Sequence, residues 1–288
     1  MALLEVMFPA VDTRNAISVA GTVRAIYKDM FPAGDDSFVE QAFHWIQECF
    51  EGNCAGYQAL DVSYHDEEHT LQGTLCLMRL LHHRHSTRGE PVLTDKMFEL
   101  ALLAILLHDT GYLKRTNDLD GTGAKYTLTH VRRSADFARE FLCARGFPDA
   151  DIAAVQNMIR CTGVNVDVDS IPFSSPLEKI VGFALSTADL LSQMAADDYV
   201  DKLPALFEEF AEAARHGGQQ GNKTVFFNSA EELIRKTPQF WQGYVWPKIN
   251  DGFGQLYRFL NDPYPDGPNE YIERVKANMA RIERQWPA

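Results

Sequence analysis

Apolar residues recur along most of this chain at intervals of three and four, the repeat of an amphipathic helix. The pattern predicts helices over 12–29 and 36–51, the second opening at Asp35-Asp36-Ser37, which suits an N-cap. A glycine-containing stretch over 52–61 leads to a segment starting near Tyr64. From His65 to His85, the positions Leu71, Leu75, Met78 and Leu81 keep helical spacing. Thr94-Asp95 caps the next helix, which ends near His108 with Gly111 shortly after. Residues 114–127 are polar and glycine-rich and read as a loop. Helix returns over 128–145, stopped by Gly146, and again from Pro148-Asp149 to about Arg160.

After a second loop over 163–175, Ser175-Pro176 opens a helix to about Ala195, with proline in its first turn. Residues 197–215 read as helix, 216–224 as a flexible turn, 229–260 as an aromatic-rich helix and 268–285 as a final amphipathic helix. Only VNVDVDS (164–170) alternates like a strand, and it is short. The expected fold is all-α. Residues 1–60 would supply N-terminal helices packed on the core, 61–215 the central helical domain, and 216–288 a C-terminal helical extension of one continuous fold.

Composition narrows the picture. The 288 residues are 45% hydrophobic, ample for a core. A net charge of −13, from 27 basic and 40 acidic residues, argues against nucleic-acid polymers and anionic membranes as partners. The five cysteines are scattered without a CxxC, as expected of small buried residues in a reducing compartment. MALLEVMFPAVDTR has no basic region before its apolar stretch and makes a poor signal peptide. No apolar run reaches the roughly 18 residues of a membrane span. These features lead us to expect a soluble, cytoplasmic protein, with a homo-oligomer open.

One local pattern carries chemistry. The run Phe98 to Leu107 is almost wholly apolar and ends in His108-Asp109. An imidazole and a carboxylate are costly to bury there unless something compensates, and a divalent ion satisfies both. His65 and His69 stand four residues apart, one turn on a helix face. Asp189 lies in a second apolar helical run, KIVGFALSTADLLSQM, where an unpaired carboxylate would be equally costly.

Three short segments, Tyr64-His65-Asp66-Glu67-Glu68-His69, His108-Asp109-Thr110-Gly111-Tyr112 and Thr187-Ala188-Asp189-Leu190, occur in an order and spacing that resembles the HD superfamily of metal-dependent phosphohydrolases. The resemblance covers about residues 60–195. It implies an HD-domain helical bundle with additional C-terminal helices, in which His69, His108, Asp109 and Asp189 ligate a divalent metal. His65 would protonate a leaving oxygen, and Asp109 or Asp189 could also accept a proton from water. Asp66 stands where the related motif usually has Asn and could orient His65. His130 falls where relatives place another His or Glu, and would hold a second metal or touch substrate.

After Ile159-Arg160 this chain has Cys161-Thr162-Gly163-Val164-Asn165, where many members have a further histidine, so the second ion site would be incomplete. One firmly bound ion is expected, with a weaker second left open. Mn, Zn, Fe, Co, Ni and Mg all remain open as its identity. Lys114, Arg115, Lys125 and Arg133, with His130, are the candidates for holding a small phosphorylated substrate, a nucleotide or cyclic nucleotide being the favoured class. A di-iron oxygenase and a non-catalytic nucleotide-binding HD module are the alternative readings.

Overall fold

The computed structural model describes residues 10–164, 166–219 and 227–287. Among them the chain is all-helical, with ten α-helices and no strand. These are α1 (Ala16–Met30), α2 (Ser37–Phe50), α3 (Glu67–Ser86), α4 (Asp95–Leu107), α5 (His130–Cys143), α6 (Asp149–Arg160), α7 (Pro176–Ala195), α8 (Tyr199–Gln219), α9 (Ala230–Phe240) and α10 (Glu270–Gln285).

Side-chain caps set most of the starts. Asn15 accepts the N–H groups of Ile17 and Ser18 and delays α1 to Ala16. Thr94 caps α4, Ser175 caps α7 ahead of Pro176, Ser229 caps α9 and Asn269 caps α10. At α3 the cap is Asp66, whose Oδ1 accepts the N–H of His69 at 2.9 Å. His65 therefore precedes the helix rather than standing on it, while His69 sits in the first turn.

Helix α4 is buried on every side from Leu100 to Leu107 and forms the centre of the molecule. Helix α3 crosses both α4 and α7. Gly73 lies between them, where a Cβ would make ordinary contacts at 3.4 Å to Ile105 Cδ1 and 3.7 Å to Ser192 Oγ. One hydrophobic core runs from Ala16 in α1 to Ile282 in α10, so the C-terminal helices share it. A small separate cluster of Val62, Tyr112 and Ala124 lies where the loops meet.

Two expectations need correction. The region 229–260 is not one helix. After α9 the backbone widens into π turns at Trp241–Val245 and Lys248–Gly252. Pro247 has no N–H to give to a helical ladder, and Gly254 and Gln255 stop the run at φ 63° and 59°. The described residues of the alternating stretch at 164–170 form no strand, and its Val168–Ser170 portion is a 3-10 turn. Asn165 lies outside the described residues. So does most of the expected turn at 216–224, of which 216–219 continue α8.

Candidate metal centre

His69, His108 and Asp109 come together as a wholly buried group whose ligand atoms all lie within 4.8 Å of one another. Three elements build it. Asp66 fixes His69 in the first turn of α3. His108 and Asp109 follow the last residue of α4, where the exposed carbonyls of the helix end favour positive charge. Asp189 reaches in from the middle of α7. His69 Nε2 is 3.2 Å from both Asp109 Oδ2 and Asp189 Oδ1. His108 Nε2 is 3.2 Å from Asp109 Oδ2 and 3.5 Å from Asp189 Oδ1. Of the four residues that the sequence resemblance singles out as ligands, His69, His108 and Asp109 form the compact group, and Asp189 stands beside both histidines.

Local hydrogen bonds orient these donors. His108 Nδ1 lies 2.7 Å from the Ile105 carbonyl, which can only accept, so Nδ1 carries the hydrogen and the neutral ring turns its Nε2 lone pair to the cluster. His108 Nε2 and Asp109 Oδ2 face each other without hydrogen-bond geometry, and neither has another partner. Two buried lone-pair donors left in this way are costly. At ligand distances of about 2.1 Å, neighbouring donors around one ion stand roughly 3.0–3.4 Å apart. The donor set therefore fits a divalent ion in both chemistry and spacing.

Without an ion, protons do the same work. Burial disfavours charge on every member, yet the opposed charges prevail. Asp109 and Asp189 raise His69 to about 9 and hold His108 well above its ordinary value. The two histidines in turn hold both carboxyls low.

A second ring of groups lies at the more open side. His65 and His130 side chains are 14% and 21% exposed, against 4% for His69. Both rings stack on the buried Tyr112, at centroid distances of 4.7 Å each. His130 Nδ1 is 2.6 Å from the Thr127 carbonyl, and its Nε2 is 3.7 Å from Asp109 Oδ1. Burial keeps His130 below its usual pKa, although Asp109 opposes this. Gly111 allows the close approach of α5 that brings His130 here. A Cβ on Gly111 would lie 2.0 Å from the His130 carbonyl oxygen, and its N–H donates to Ser134 Oγ at 2.8 Å.

The residue that orients His65 is not Asp66, which is spent on capping α3 and on Lys202. It is Glu209 of α8. Glu209 Oε2 is 2.6 Å from His65 Nδ1, and Oε1 accepts the N–H groups of Tyr64 and His65. Burial opposes its charge, but His65 and those N–H donors hold its carboxyl below the usual range. Glu209 lies about 140 residues from His65 in an ordinary amphipathic stretch, and no local motif marks it.

The four basic residues expected to hold phosphate are engaged elsewhere. Lys114 binds the Gly121 carbonyl at 2.6 Å and Asp61 at 2.9 Å. One guanidinium nitrogen of Arg115, Nη2, donates to both carboxylate oxygens of Glu140, at 2.9 and 2.8 Å, over the Tyr57 ring. Lys125 is buried against Asp118 and the Asp120 carbonyl. Arg133 holds the carbonyls of Gly111 and Leu113, both at 2.7 Å, and stacks on Tyr126. All four brace the loop after the His-Asp pair. Cys161, in the place of the absent histidine, is buried with its thiol 3.5 Å from the Asn157 carbonyl oxygen.

No helix among the described residues is long and apolar enough to cross a membrane. No curated protein matches the chain. A family model described as Npun_R2479-like matches residues 116–285, a span that holds His130, Asp189 and Glu209 and stops short of His65, His69, His108 and Asp109. That description states no activity. Because the match covers more than half of the chain, from the loop after the His-Asp pair to the end of α10, the chain belongs to the Npun_R2479-like family.

Proposed function

We propose that this chain is a divalent-metal-dependent hydrolase of a small phosphate ester, with a nucleotide or cyclic nucleotide as the favoured substrate class. The observation that carries the reading is the meeting of His69, His108, Asp109 and Asp189, in which His108 Nε2 and Asp109 Oδ2 are buried without a hydrogen bond and the imidazole nitrogens stand 3.2 to 3.5 Å from the carboxylate oxygens. A divalent ion held there would supply Lewis acidity, drawing charge from a phosphoryl oxygen and acidifying water.

The protein groups have distinct parts in this reading. His65 carries its hydrogen bond to Glu209 on Nδ1 and keeps Nε2 for donating a proton to the leaving oxygen. Asp109 uses Oδ2 towards the two ligand histidines, and its Oδ1, on the His130 side, accepts a proton from water. His130, held neutral by burial, donates to a phosphate oxygen only in a protonated or Nε2–H form, so its natural part is that of an acceptor or ligand. With Lys114, Arg115, Lys125 and Arg133 occupied by the scaffold, the negative charge of a phosphate group falls to the metal and to neutral donors at the rim.

One observation favours a second reading. His130 Nε2, 3.7 Å from the other oxygen of Asp109, offers half of a second ion site with Asp109 shared. Two irons there would suit an oxygenase of the same scaffold. Elemental analysis of the purified protein, paired with a phosphate ester panel on the same sample, separates the two. About one divalent ion per chain with metal-dependent phosphate release supports the hydrolase. Two irons per chain without hydrolysis support the oxygenase. A metal-free folded protein that neither takes up metal nor hydrolyses any ester defeats both.

A further inference from the structure

Tyr112 ends the 3-10 turn that follows the His-Asp pair. Its N–H bonds to the Asp109 carbonyl at 3.1 Å, so its backbone is tied to a candidate metal ligand. Gly123 packs closely behind it: a Cβ there would lie 2.1 Å from the Tyr112 carbonyl oxygen. The side chain is wholly buried and packs with Val62 and Ala124.

The imidazoles of His65 and His130 lie against this ring. Each centroid is 4.7 Å from that of Tyr112, with interplanar angles of 19° and 16°. The two imidazole centroids are 5.9 Å apart. Rings stacked on opposite faces would be separated by at least about 7 Å, twice a van der Waals contact of about 3.5 Å. Both histidines therefore lie on the same face of the tyrosine, which forms a common floor.

We infer that Tyr112 is a positioning residue, whose ring sets the orientation of the His65 and His130 imidazoles relative to the His-Asp turn. Each imidazole is hydrogen-bonded through Nδ1, His65 to Glu209 Oε2 and His130 to the Thr127 carbonyl, both at 2.6 Å. Such a bond holds one nitrogen and leaves the ring able to tilt about it. A flat neighbour in offset stacking removes that tilt, and the direction of Nε2 follows. For His130 that direction is towards Asp109 Oδ1, 3.7 Å away. His65 precedes α3 and His130 opens α5, so neither helix by itself relates the two rings. Tyr112 relates them, from the turn that carries Asp109.

The face of the ring, not its hydroxyl, does this. The buried hydroxyl finds no hydrogen bond of good geometry. Phenylalanine should therefore replace the tyrosine, whereas a side chain without a flat face should not. The orientation of the two imidazoles is independent of the reaction, and its effect on turnover rests on the hydrolase reading.

The test has two arms. In the first, the intact metal-free protein carries labelled histidine and tyrosine, and His65→Gln and His130→Gln assign the imidazole signals. Nuclear Overhauser contacts from the Tyr112 ring to both imidazoles are expected, with both shifted upfield by the tyrosine ring current. The upfield displacement should vanish for both histidines in Tyr112→Leu, and independently in Tyr112→Met, and should stay in Tyr112→Phe. The contacts are read in the unsubstituted protein, so a variant that fails to fold does not remove the test. In the second arm, metal-loaded Tyr112→Leu and Tyr112→Met should lose about 10- to 100-fold in kcat, the scale of misplacing a reacting group, with metal content unchanged. Their KM, and the kcat of Tyr112→Phe, should stay within about two-fold of the parent. Missing Overhauser contacts or unshifted imidazoles in the unsubstituted protein would overturn the inference. So would full kcat in a folded Tyr112→Leu or Tyr112→Met protein. If the parent hydrolyses no ester, the hydrolase reading fails and the first arm alone decides the inference.

Discussion

The buried Glu209 carboxylate and the half-buried His65 imidazole form a pair at 2.6 Å, in which the same carboxylate also accepts the backbone N–H groups of Tyr64 and His65. The pair fixes both which nitrogen of His65 faces the site and where the ring stands. Glu209→Gln keeps the volume and removes the charge. Its expected effect is a loss of about 10- to 100-fold in kcat with metal content unchanged, the usual cost of losing an orienting partner. Unchanged kcat in a metal-loaded Glu209→Gln protein would remove His65 from the proton-donating role.

The metal centre should show a definite dependence on pH. In the metal-free protein His69 is raised from 6.5 to about 9, so its stabilising contribution is complete below 6.5 and is lost as pH rises through about 9. Asp109 and Asp189 are depressed from 3.8, so theirs is present above that value and fades as pH falls below it. A divalent ion competes with the protons held on the histidines. The increase in thermal midpoint on adding Mn or Zn should therefore be small near pH 6 and grow steadily towards pH 9. Scanning calorimetry with and without metal across that window measures it. A flat or falling increment would mean that the ion does not bind these histidines.

Arg133 separates a scaffold residue from a substrate ligand. Its guanidinium holds two carbonyls of the turn after the His-Asp pair and stacks on Tyr126, with its centre 3.5 Å from the ring centroid. Arg133→Ala should lower stability by about 2 kcal/mol, the scale of losing charge-assisted hydrogen bonds at a partly buried site. For the residual folded enzyme KM should stay within about two-fold, because no substrate contact is lost. Urea denaturation and steady-state kinetics on the same preparation check both. A large rise in KM with unchanged stability would restore Arg133 to the substrate.

Much of this arrangement is legible along the chain, for physical reasons that differ by residue. The apolar run before His108 announces a buried helix end, and a carboxylate at Asp189 inside another apolar helix must meet a cation. Both follow from the cost of burying charge, which one-dimensional sequence expresses directly. The Asp66 cap is equally visible once read as a helix start, and it moves His65 off the helix. Glu209 is not legible, because its partner is brought by the packing of α8 and neither neighbour in sequence hints at it. The basic residues after Asp109 misled for the converse reason. Charge in a polar loop looks available, whereas the fold spends Lys114, Lys125 and Arg133 on carbonyls and carboxylates of that same loop. The break after α9 depends on a proline and a pair of left-handed residues that the aromatic spacing conceals.

Two glycine substitutions should act in opposite directions, and together they test whether the His-Asp turn needs the close approach of α5. At Gly111 an added Cβ would meet the His130 carbonyl oxygen at 2.0 Å and the Ser134 nitrogen at 2.8 Å, both of them backbone atoms that cannot swing aside. Gly111→Ala should therefore force α5 away, costing at least about 1–3 kcal/mol as overpacking does. Because His130 opens α5, its approach to Asp109 should be lost along with the stability. Gly21 lies on the exposed face of α1, and no atom stands within 4 Å of the place a methyl group would take, so nothing opposes a Cβ there. Gly21→Ala should stabilise by about 0.5–1 kcal/mol through helix propensity and reduced freedom of the unfolded chain. Chemical denaturation of the two variants beside the parent measures both signs. If Gly111→Ala unfolds at the same denaturant concentration as the parent, then α5 does not pack on the His-Asp turn as described, and the placing of His130 beside Asp109 falls with it.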